Sequence, residues 1–143
     1  MRQRRVVIDT NVLIAALLSG TGHNRAVLRE CLQRRVDPLM GEALFHEYED
    51  LMAREQLFRS CPLSGPERDS LFAAFLSTCD WVEVYYLWRP NLRDDADNHL
   101  IELAVAGSAD MIVTNNVRDF LGAELRFPEI RIVDPAAFMK EIQ

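Results

Sequence analysis

The sequence predicts an α/β fold, a three-layer α/β/α sandwich around a central parallel sheet. Two short β-branched runs, Arg4–Ile8 and Asp110–Thr114, are typical of strands that are buried on both faces of such a sheet. Between these runs, segments with helical spacing alternate with weaker strand-like segments. The 143 residues contain no long Pro/Gly/Ser-rich linker, so we expect one domain spanning 1–143.

The elements of the first half follow in order. A helix is expected to start near Val12, directly after the first strand. A second, amphipathic helix is predicted from the apolar spacing within Val27–Leu32, with Asn24 as a possible cap. A weaker strand is predicted at Val36–Met40, and Pro38 favours a position at the edge of the sheet because proline cannot donate a ladder hydrogen bond.

The second half continues the alternation. Gly41–Arg54 is predicted as a helix, and the apolar positions of Leu71–Cys79 predict another one that begins near Pro66. Two weaker strands are predicted at Trp81–Tyr86 and Arg131–Val133. Together with the two buried runs, these strands complete the predicted sheet.

The charged residues of the chain give opposing indications about whether it binds nucleic acid. A formal net charge of −6 disfavours a protein that holds nucleic acid by bulk electrostatics. The 16 basic residues, however, are fifteen arginines and one lysine, and the planar guanidinium matches phosphate oxygens. The excess of arginine is explained equally well by a solvated, arginine-rich surface and by a phosphate-binding role.

The cysteines and the hydropathy pattern limit the class of protein. Cys31, Cys61 and Cys79 form no close pair, which favours reduced thiols over a disulfide framework or a zinc knuckle. The longest apolar stretch, Val12–Leu18, is too short to cross a bilayer, and the amino terminus lacks a secretory signal pattern. We therefore expect a cytoplasmic protein without a membrane partner.

Asp9 is the first candidate site residue. It directly follows the first buried strand, at the carboxyl end where open α/β sheets bind ligands. An N-cap role for the helix that follows is the structural alternative, and both roles can hold together.

Glu47 is the second candidate, and helical geometry identifies it. Its neighbours at i−3 and i+4, Leu44 and Leu51, belong to the apolar stripe of the helix, so Glu47 is predicted to face inward. A buried carboxylate is costly unless it is paired, hydrogen-bonded or bound to a metal, and an arginine partner is the structural alternative to a metal here. The other acids of this helix are expected to be solvated and serve as a comparison: Glu42, Glu49 and Asp50.

Asp97 is the third candidate, because it begins a helix whose inward positions are Leu100, Ile101 and Ala104. Its neighbours Asp94 and Asp95 are better explained as charges that favour the helix start.

A further cluster follows the second buried strand and contains Asn116 and Asp119, both predicted to lie within reach of the same crevice. Acids brought together in this way repel one another, and a hard divalent cation relieves the repulsion. An all-oxygen ligand set suits Mg²⁺ or Mn²⁺, and such a site supports hydrolysis of a phosphodiester.

The order of these motifs resembles the PIN-domain family from end to end. The resemblance rests on Asp9 with Asn11, on Glu47 in a helix, on Asp97, and on Ile112–Thr114 followed by an acid or amide. It implies a ribonuclease that uses Mg²⁺ or Mn²⁺, with RNA as the substrate. Many small bacterial members of the family are toxins held in check by a cognate antitoxin, so an antitoxin partner and a homodimer are implied as well.

The resemblance also implies roles for individual residues. Asp9, Glu47 and Asp97 correspond to the three core acids, whereas Asn11 and Thr114 correspond to groups that orient Asp9 and a bound water. One position departs from the family, which mostly has a fourth Asp where this chain has Asn116. Asp119, one helical turn further on, is a candidate for the missing carboxylate and a further ligand.

Other functions stay open or lack a residue that they require. A non-catalytic module that binds RNA or an antitoxin stays open as an alternative, because Asn116 replaces the fourth acid of the family. A phosphohydrolase with Asp9 as nucleophile would want an acid at position 11, where Asn11 stands. His46 and Glu47 begin like a zinc-protease helix, but the second histidine of that motif is absent. His99 is open between a substrate contact and an ordinary helix-surface histidine.

Overall fold

The computed structural model describes residues 3–84, 98–122 and 127–142. The strands are β1 (Arg5–Ile8), β2 (Asp37–Met40), β3 (Asp80–Trp81), β4 (Met111–Val113) and β5 (Arg131–Val133). The α-helices are α1 (Thr10–Leu18), α2 (His23–Leu32), α3 (Glu42–Met52), α4 (Gly65–Thr78), α5 (Asn98–Ala106) and α6 (Pro135–Ile142). Short 3₁₀ helices span Glu55–Phe58 and Val117–Phe120.

The strands form one parallel sheet in the order β3-β2-β1-β4-β5. The two β-branched runs of the sequence, β1 and β4, lie side by side at its centre, with Val6 opposite Met111 and Ile8 opposite Val113. Val6, Ile8, Met111 and Val113 are buried, as expected for strands covered on both faces. Helices cover the two faces of the sheet, so the predicted three-layer α/β/α fold is confirmed.

The helices bury the apolar stripes that their sequences predicted. In α1, which contains the longest apolar stretch of the sequence, Val12, Leu13, Ala16 and Leu17 are buried. None of the helices in the described ranges is long and apolar enough to cross a membrane. The stripe of α1 therefore belongs to the core of the fold.

The prediction that Pro38 marks a sheet edge was wrong. β2 lies between β1 and β3, and β3 pairs only with Leu39 and Met40. The N–H of Asp37 points to β1, where it donates to the carbonyl of Arg4 at 2.8 Å. The nitrogen of Pro38 therefore points to the opposite side of β2, where β3 lies, but at a position that β3 does not pair with, so its missing N–H costs no ladder bond.

Two predicted boundaries also changed. α2 begins at His23 with Gly22 at the N-cap position, so Asn24 lies inside the helix and does not cap it. The φ of Gly22 is 94°, a conformation that favours glycine. Of the strand predicted at Trp81–Tyr86, only Trp81 is observed as strand, at the end of β3; residues 82–84 are not strand, and Tyr85 and Tyr86 lie outside the described residues.

The start of α4 is fixed by a reciprocal pair of hydrogen bonds. The N–H of Glu67 donates to the Ser64 hydroxyl at 3.2 Å, and the N–H of Ser64 donates to the Glu67 carboxylate at 2.8 Å. Pro66 lies in the first turn, as predicted, where its missing N–H would have no helical partner anyway. Hydrogen bonding from the Ser64 backbone, and also from its side chain, holds the pKa of the Glu67 carboxyl group below its usual value.

We expect Ser64→Ala to lower the free energy of unfolding by about 1 kcal/mol, because it removes the acceptor for the N–H of Glu67. Urea denaturation would measure the change. Ser70→Ala is the matched control, since Ser70 is exposed within the same helix and its loss should change stability by less than about 0.5 kcal/mol. Equal losses in the two variants would contradict the capping role.

Candidate active site

Polar side chains gather at the carboxyl edge of the sheet. Asp9 follows β1 and Thr114 follows β4, and these strands are adjacent and parallel. The N–H of Asp9 donates to the carbonyl of Val113 at 2.9 Å, which extends the ladder by one residue. Parallel pairing therefore brings the two polar side chains to the same point, as the sequence predicted.

The Asp9 carboxylate is buried and held by two neighbours. Asp9 is only 5% exposed, and its Oδ2 accepts hydrogen bonds from Thr114 Oγ1 at 2.8 Å and from Asn11 Nδ2 at 3.2 Å. Asp9 occupies the N-cap position of α1, but its side chain makes no capping bond. Its carboxylate is therefore oriented by Thr114 and Asn11 rather than used to cap the helix.

Burial dominates the electrostatics of Asp9. It raises the pKa of this carboxyl group above the usual 3.8, and the hydrogen bond from Thr114 offsets part of the effect. The negative charge of Glu47 raises the pKa of Asp9 further. The two carboxylates are thus close enough to repel each other, which is the condition the sequence analysis expected of a cation site.

Glu47 is held at both carboxylate oxygens. Its Oε1 accepts a hydrogen bond from Thr10 Oγ1 at 2.7 Å, and its Oε2 lies 2.7 Å from His99 Nε2. These bonds, led by that of His99, lower the pKa of Glu47 despite its partial burial. The side chain is 36% exposed, so Glu47 is half-buried and not enclosed in the core as its helical position predicted. The three comparison acids of α3 are exposed, as predicted: Glu42, Glu49 and Asp50.

A buried tyrosine connects α3 to β1, the strand that directly precedes Asp9. Tyr48 is fully buried, and its hydroxyl donates to the carbonyl of Ile8 at 2.6 Å. Ile8 directly precedes Asp9, and Tyr48 directly follows Glu47. This bond therefore fixes the distance between the backbones that carry the two acids.

Sequence reasoning missed Thr10 and left His99 open. His99 is not an ordinary surface histidine, because its side chain is 16% exposed and its Nε2 contacts Glu47. Thr10 could have been noticed as a hydroxyl next to Asp9, but its bond to Glu47 depends on how α1 and α3 pack. The contact between α3 and α5 that brings His99 to Glu47 had no local signal in the sequence.

An amide cluster supports Asn11 from the outside. Asn115 donates to Asn11 Oδ1 from its backbone N–H at 3.2 Å and from its side chain at 3.4 Å. The Asn115 side chain also donates to Asn24 Oδ1 at 3.0 Å. The chain after β4 is thereby connected to both α1 and α2, and Asn11 is kept in the orientation that contacts Asp9.

The remaining predicted residues lie around this centre or outside the described ranges. The N–H of Asn116 donates to Thr114 Oγ1 at 3.0 Å, so its backbone is connected to Asp9 through the Thr114 hydroxyl. Asp119 lies in a 3₁₀ helix rather than an α-helix, and it lines a separate shallow depression of about 420 Å³ together with Asn116 and Asp134. Its participation in the crevice stays a prediction.

Asp97 lies outside the described residues, as do Asp94 and Asp95. Within residues 3–84, 98–122 and 127–142, no group of three or more His, Cys, Asp or Glu side chains is placed to hold a metal ion. The described part of the candidate site therefore supplies two acids, Asp9 and Glu47. The third acid of the sequence-based set belongs to the part of the chain that is not described.

Comparison with known proteins identifies the fold. Residues 5–118 match the PIN-domain family. A solved structure shows VapBC2 from Rickettsia felis bound to a DNA fragment from the VapBC2 promoter. One chain of that structure superposes on this chain with a TM-score of 0.59 at 14% sequence identity. The match covers 91% of this chain and 98% of that one. No curated protein matches the sequence.

The opposite pKa shifts of Asp9 and Glu47 predict opposite pH dependence of stability. In a metal-free sample, the raised pKa of Asp9 means that its contribution is fully present below about pH 4 and is lost as the pH rises through the folded-state value. Asp9→Asn should therefore gain stability relative to wild type as the pH rises towards neutrality.

Glu47→Gln is the matched opposite case. The lowered pKa of Glu47 contributes stability above its usual value of 4.5, and this contribution is lost as the pH falls through the folded-state value. This variant should lose stability relative to wild type as the pH rises. Urea denaturation in the presence of a chelator, repeated across the acidic range, measures both differences, and slopes of the same sign would contradict the assignment.

Proposed function

Because the chain belongs to the PIN-domain family, we propose that it is a divalent-metal-dependent endoribonuclease that acts as the toxin of a toxin–antitoxin pair. The observation that best supports the activity is the buried Asp9 carboxylate, oriented by Thr114 and Asn11 and placed beside Glu47. Burying an ionised carboxylate next to a second one is unfavourable for stability. An arrangement of this kind is typical of a functional site.

The donor set fits a hard cation. Asp9 and Glu47 offer carboxylate oxygens, and we propose that Asp97 adds a third, with Asn116 and Asp119 as further ligands. Oxygen donors of this kind suit Mg²⁺ or Mn²⁺. When bound, the ion would supply an activated water and neutralise charge on the phosphate. The proposed residues would also lose their mutual repulsion, which adds to the larger effect of burial in raising the pKa of Asp9.

The neighbouring side chains of this site act by holding the acids in place. Thr114 and Asn11 fix the direction of Asp9, while Thr10 and His99 fix both oxygens of Glu47. Side chains that are already ordered need not lose rotamer freedom when substrate arrives. We therefore propose that these four residues are positioning groups, and loss of one should reduce activity by about 10–100-fold.

The proposed partners are an RNA substrate and a cognate antitoxin. The structural neighbour from Rickettsia felis is part of VapBC2 bound to promoter DNA, which supports a toxin–antitoxin assembly for this chain by analogy of fold. A homodimer is part of the same proposal. Cellular RNA as a substrate agrees with the cytoplasmic location expected from the sequence.

A non-catalytic module is the second candidate, and Asn116 is the observation that favours it. The PIN-domain family mostly has an acid at this position, and an amide can ligate a cation but adds no negative charge. In this alternative, the chain would bind RNA or an antitoxin on a nuclease scaffold without cutting RNA.

Cleavage of a mixed RNA pool by the purified protein is the direct test. We expect cutting with Mg²⁺ or Mn²⁺ and none with EDTA. Asp9→Asn, Glu47→Gln and Asp97→Asn should each reduce cutting to the EDTA level, because each removes a charge that the metal requires. The same samples should show a rise in the melting temperature of wild type on addition of metal, since a ligand that binds only the folded state stabilises it.

Glu49→Gln is the matched control for Glu47→Gln. Glu49 lies on the same helix, is exposed and contacts His46 at its surface, so its replacement should leave cutting and metal response intact. Metal-dependent binding of RNA without cutting, in wild type and all variants alike, would reject the nuclease in favour of the non-catalytic module.

Position 116 provides a separate test of the ligand set. Asn116→Asp should tighten Mg²⁺ binding several-fold, measured by calorimetry, because it adds a carboxylate at a position whose backbone is hydrogen-bonded to Thr114, the residue that also holds Asp9. Gln33→Glu adds the same net charge at the end of α2 and controls for the general effect of charge. An unchanged Mg²⁺ affinity in Asn116→Asp would exclude position 116 from the proposed ligands.

A further inference from the structure

A second concave surface lies at the same edge of the sheet as the acids. It is a cavity of about 690 Å³ built from the chain that follows β2 and β3, together with one side of α5. Its walls include Phe45, Trp81, Val84, His99 and Leu103, and we call it the aromatic pocket. Its volume falls in the range of small-molecule sites, which are mostly apolar with a few polar groups.

An aromatic platform forms one wall of this pocket. Trp81 is 54% exposed, although it is a large apolar side chain. Its ring lies 5.4 Å from that of Phe45, and Phe45 in turn stacks on Phe72 at 6.5 Å with an interplanar angle of 12°. The platform is thus supported from behind by packed rings, while the indole remains available to a ligand.

His99 connects the pocket to the candidate active site. Its ring lines the aromatic pocket, and its Nε2 contacts Glu47 Oε2 at 2.7 Å. A ligand seated against Trp81 would therefore be separated from the acid site by one side chain. This continuity distinguishes the pocket from an isolated apolar depression.

The acids that line the pocket disfavour an anionic ligand. No arginine or lysine of the described ranges lines it, whereas the acids Glu42 and Glu83 do. Gly41, the N-cap of α3, also lines the pocket, and it has no side chain to cap the first turn of the helix. An uncharged, flat ligand with hydrogen-bonding edges matches these surroundings, and a phosphate group does not.

We propose that the aromatic pocket binds one unpaired nucleobase of the RNA strand by stacking on Trp81. The inference rests on the proposed ribonuclease function, because it assumes that the strand passes the acid site. Single-stranded RNA is commonly recognised through bases that stack on aromatic side chains, and this contact tolerates the absence of basic residues at the base itself. The strand would then be held at one side of Glu47 through its base.

Binding of a labelled, short single-stranded RNA in EDTA tests the pocket without cleavage. We expect Trp81→Ala to weaken binding about tenfold or more, and Trp81→Phe to weaken it less, because Phe retains a ring. Leu57→Ala is the control, since Leu57 is an exposed apolar residue (38%) in the 3₁₀ helix at Glu55–Phe58. Equal affinity of wild type and Trp81→Ala would overturn the proposal.

An oligonucleotide of the same length without bases separates stacking from contacts to the backbone. Wild type should bind it as weakly as Trp81→Ala binds the complete RNA, and Trp81→Ala should bind both alike. In a Trp88→Phe background, where Trp81 is the remaining tryptophan, the complete RNA should quench the fluorescence and the base-free strand should not. Quenching by an arginine-rich peptide but not by RNA would overturn the proposal and point to a protein partner.

These outcomes are separable from those of the nuclease test. Metal-dependent cutting with unchanged RNA affinity in Trp81→Ala rejects the pocket and leaves the enzyme. Base-dependent binding without cutting in any metal rejects the enzyme and leaves the pocket.

Discussion

The candidate site depends on the parallel pairing of β1 with β4. This pairing continues one residue beyond the strands through the bond from Asp9 N–H to the Val113 carbonyl, and it places Thr114 Oγ1 at 2.8 Å from the Asp9 carboxylate. Thr114 is fully buried, so its hydroxyl is kept from water and must bond within the protein. The packing that stabilises the centre of the sheet thus also determines where the buried charge lies.

The two acids are held under different electrostatic conditions. Asp9 is buried and its pKa is raised, whereas Glu47 has hydrogen bonds at both oxygens and its pKa is lowered. In the free protein, Asp9 is therefore the group that is unfavourable for stability, and Glu47 is the group whose charge is well supported. Such a pair with opposed environments is common where proteins keep charge for function rather than for folding.

The sequence predicted the parts of this arrangement that arise from local periodicity. Asp9 and Thr114 follow buried strands, and Glu47 lies within an apolar helical stripe, so their placement at one edge required only the parallel fold. The pairing of His99 with Glu47 depends on the packing of α3 against α5, which no local pattern encodes. The prediction that Pro38 lies at the edge of the sheet was wrong because β3 pairs beside β2. This strand is only 2 residues long, and its sequence gives little indication of a strand.

The short strands at both borders of the sheet have a consequence for association between copies of the chain. β3 has 2 residues and β5 has 3, and Asp80 of β3 is engaged by the Arg5 side chain at 2.7 Å. Such borders present few unpaired main-chain groups to a foreign strand, and a charged residue on them opposes intermolecular sheet growth. Within the described residues, the two borders therefore offer little main-chain template to which a strand of another copy could add.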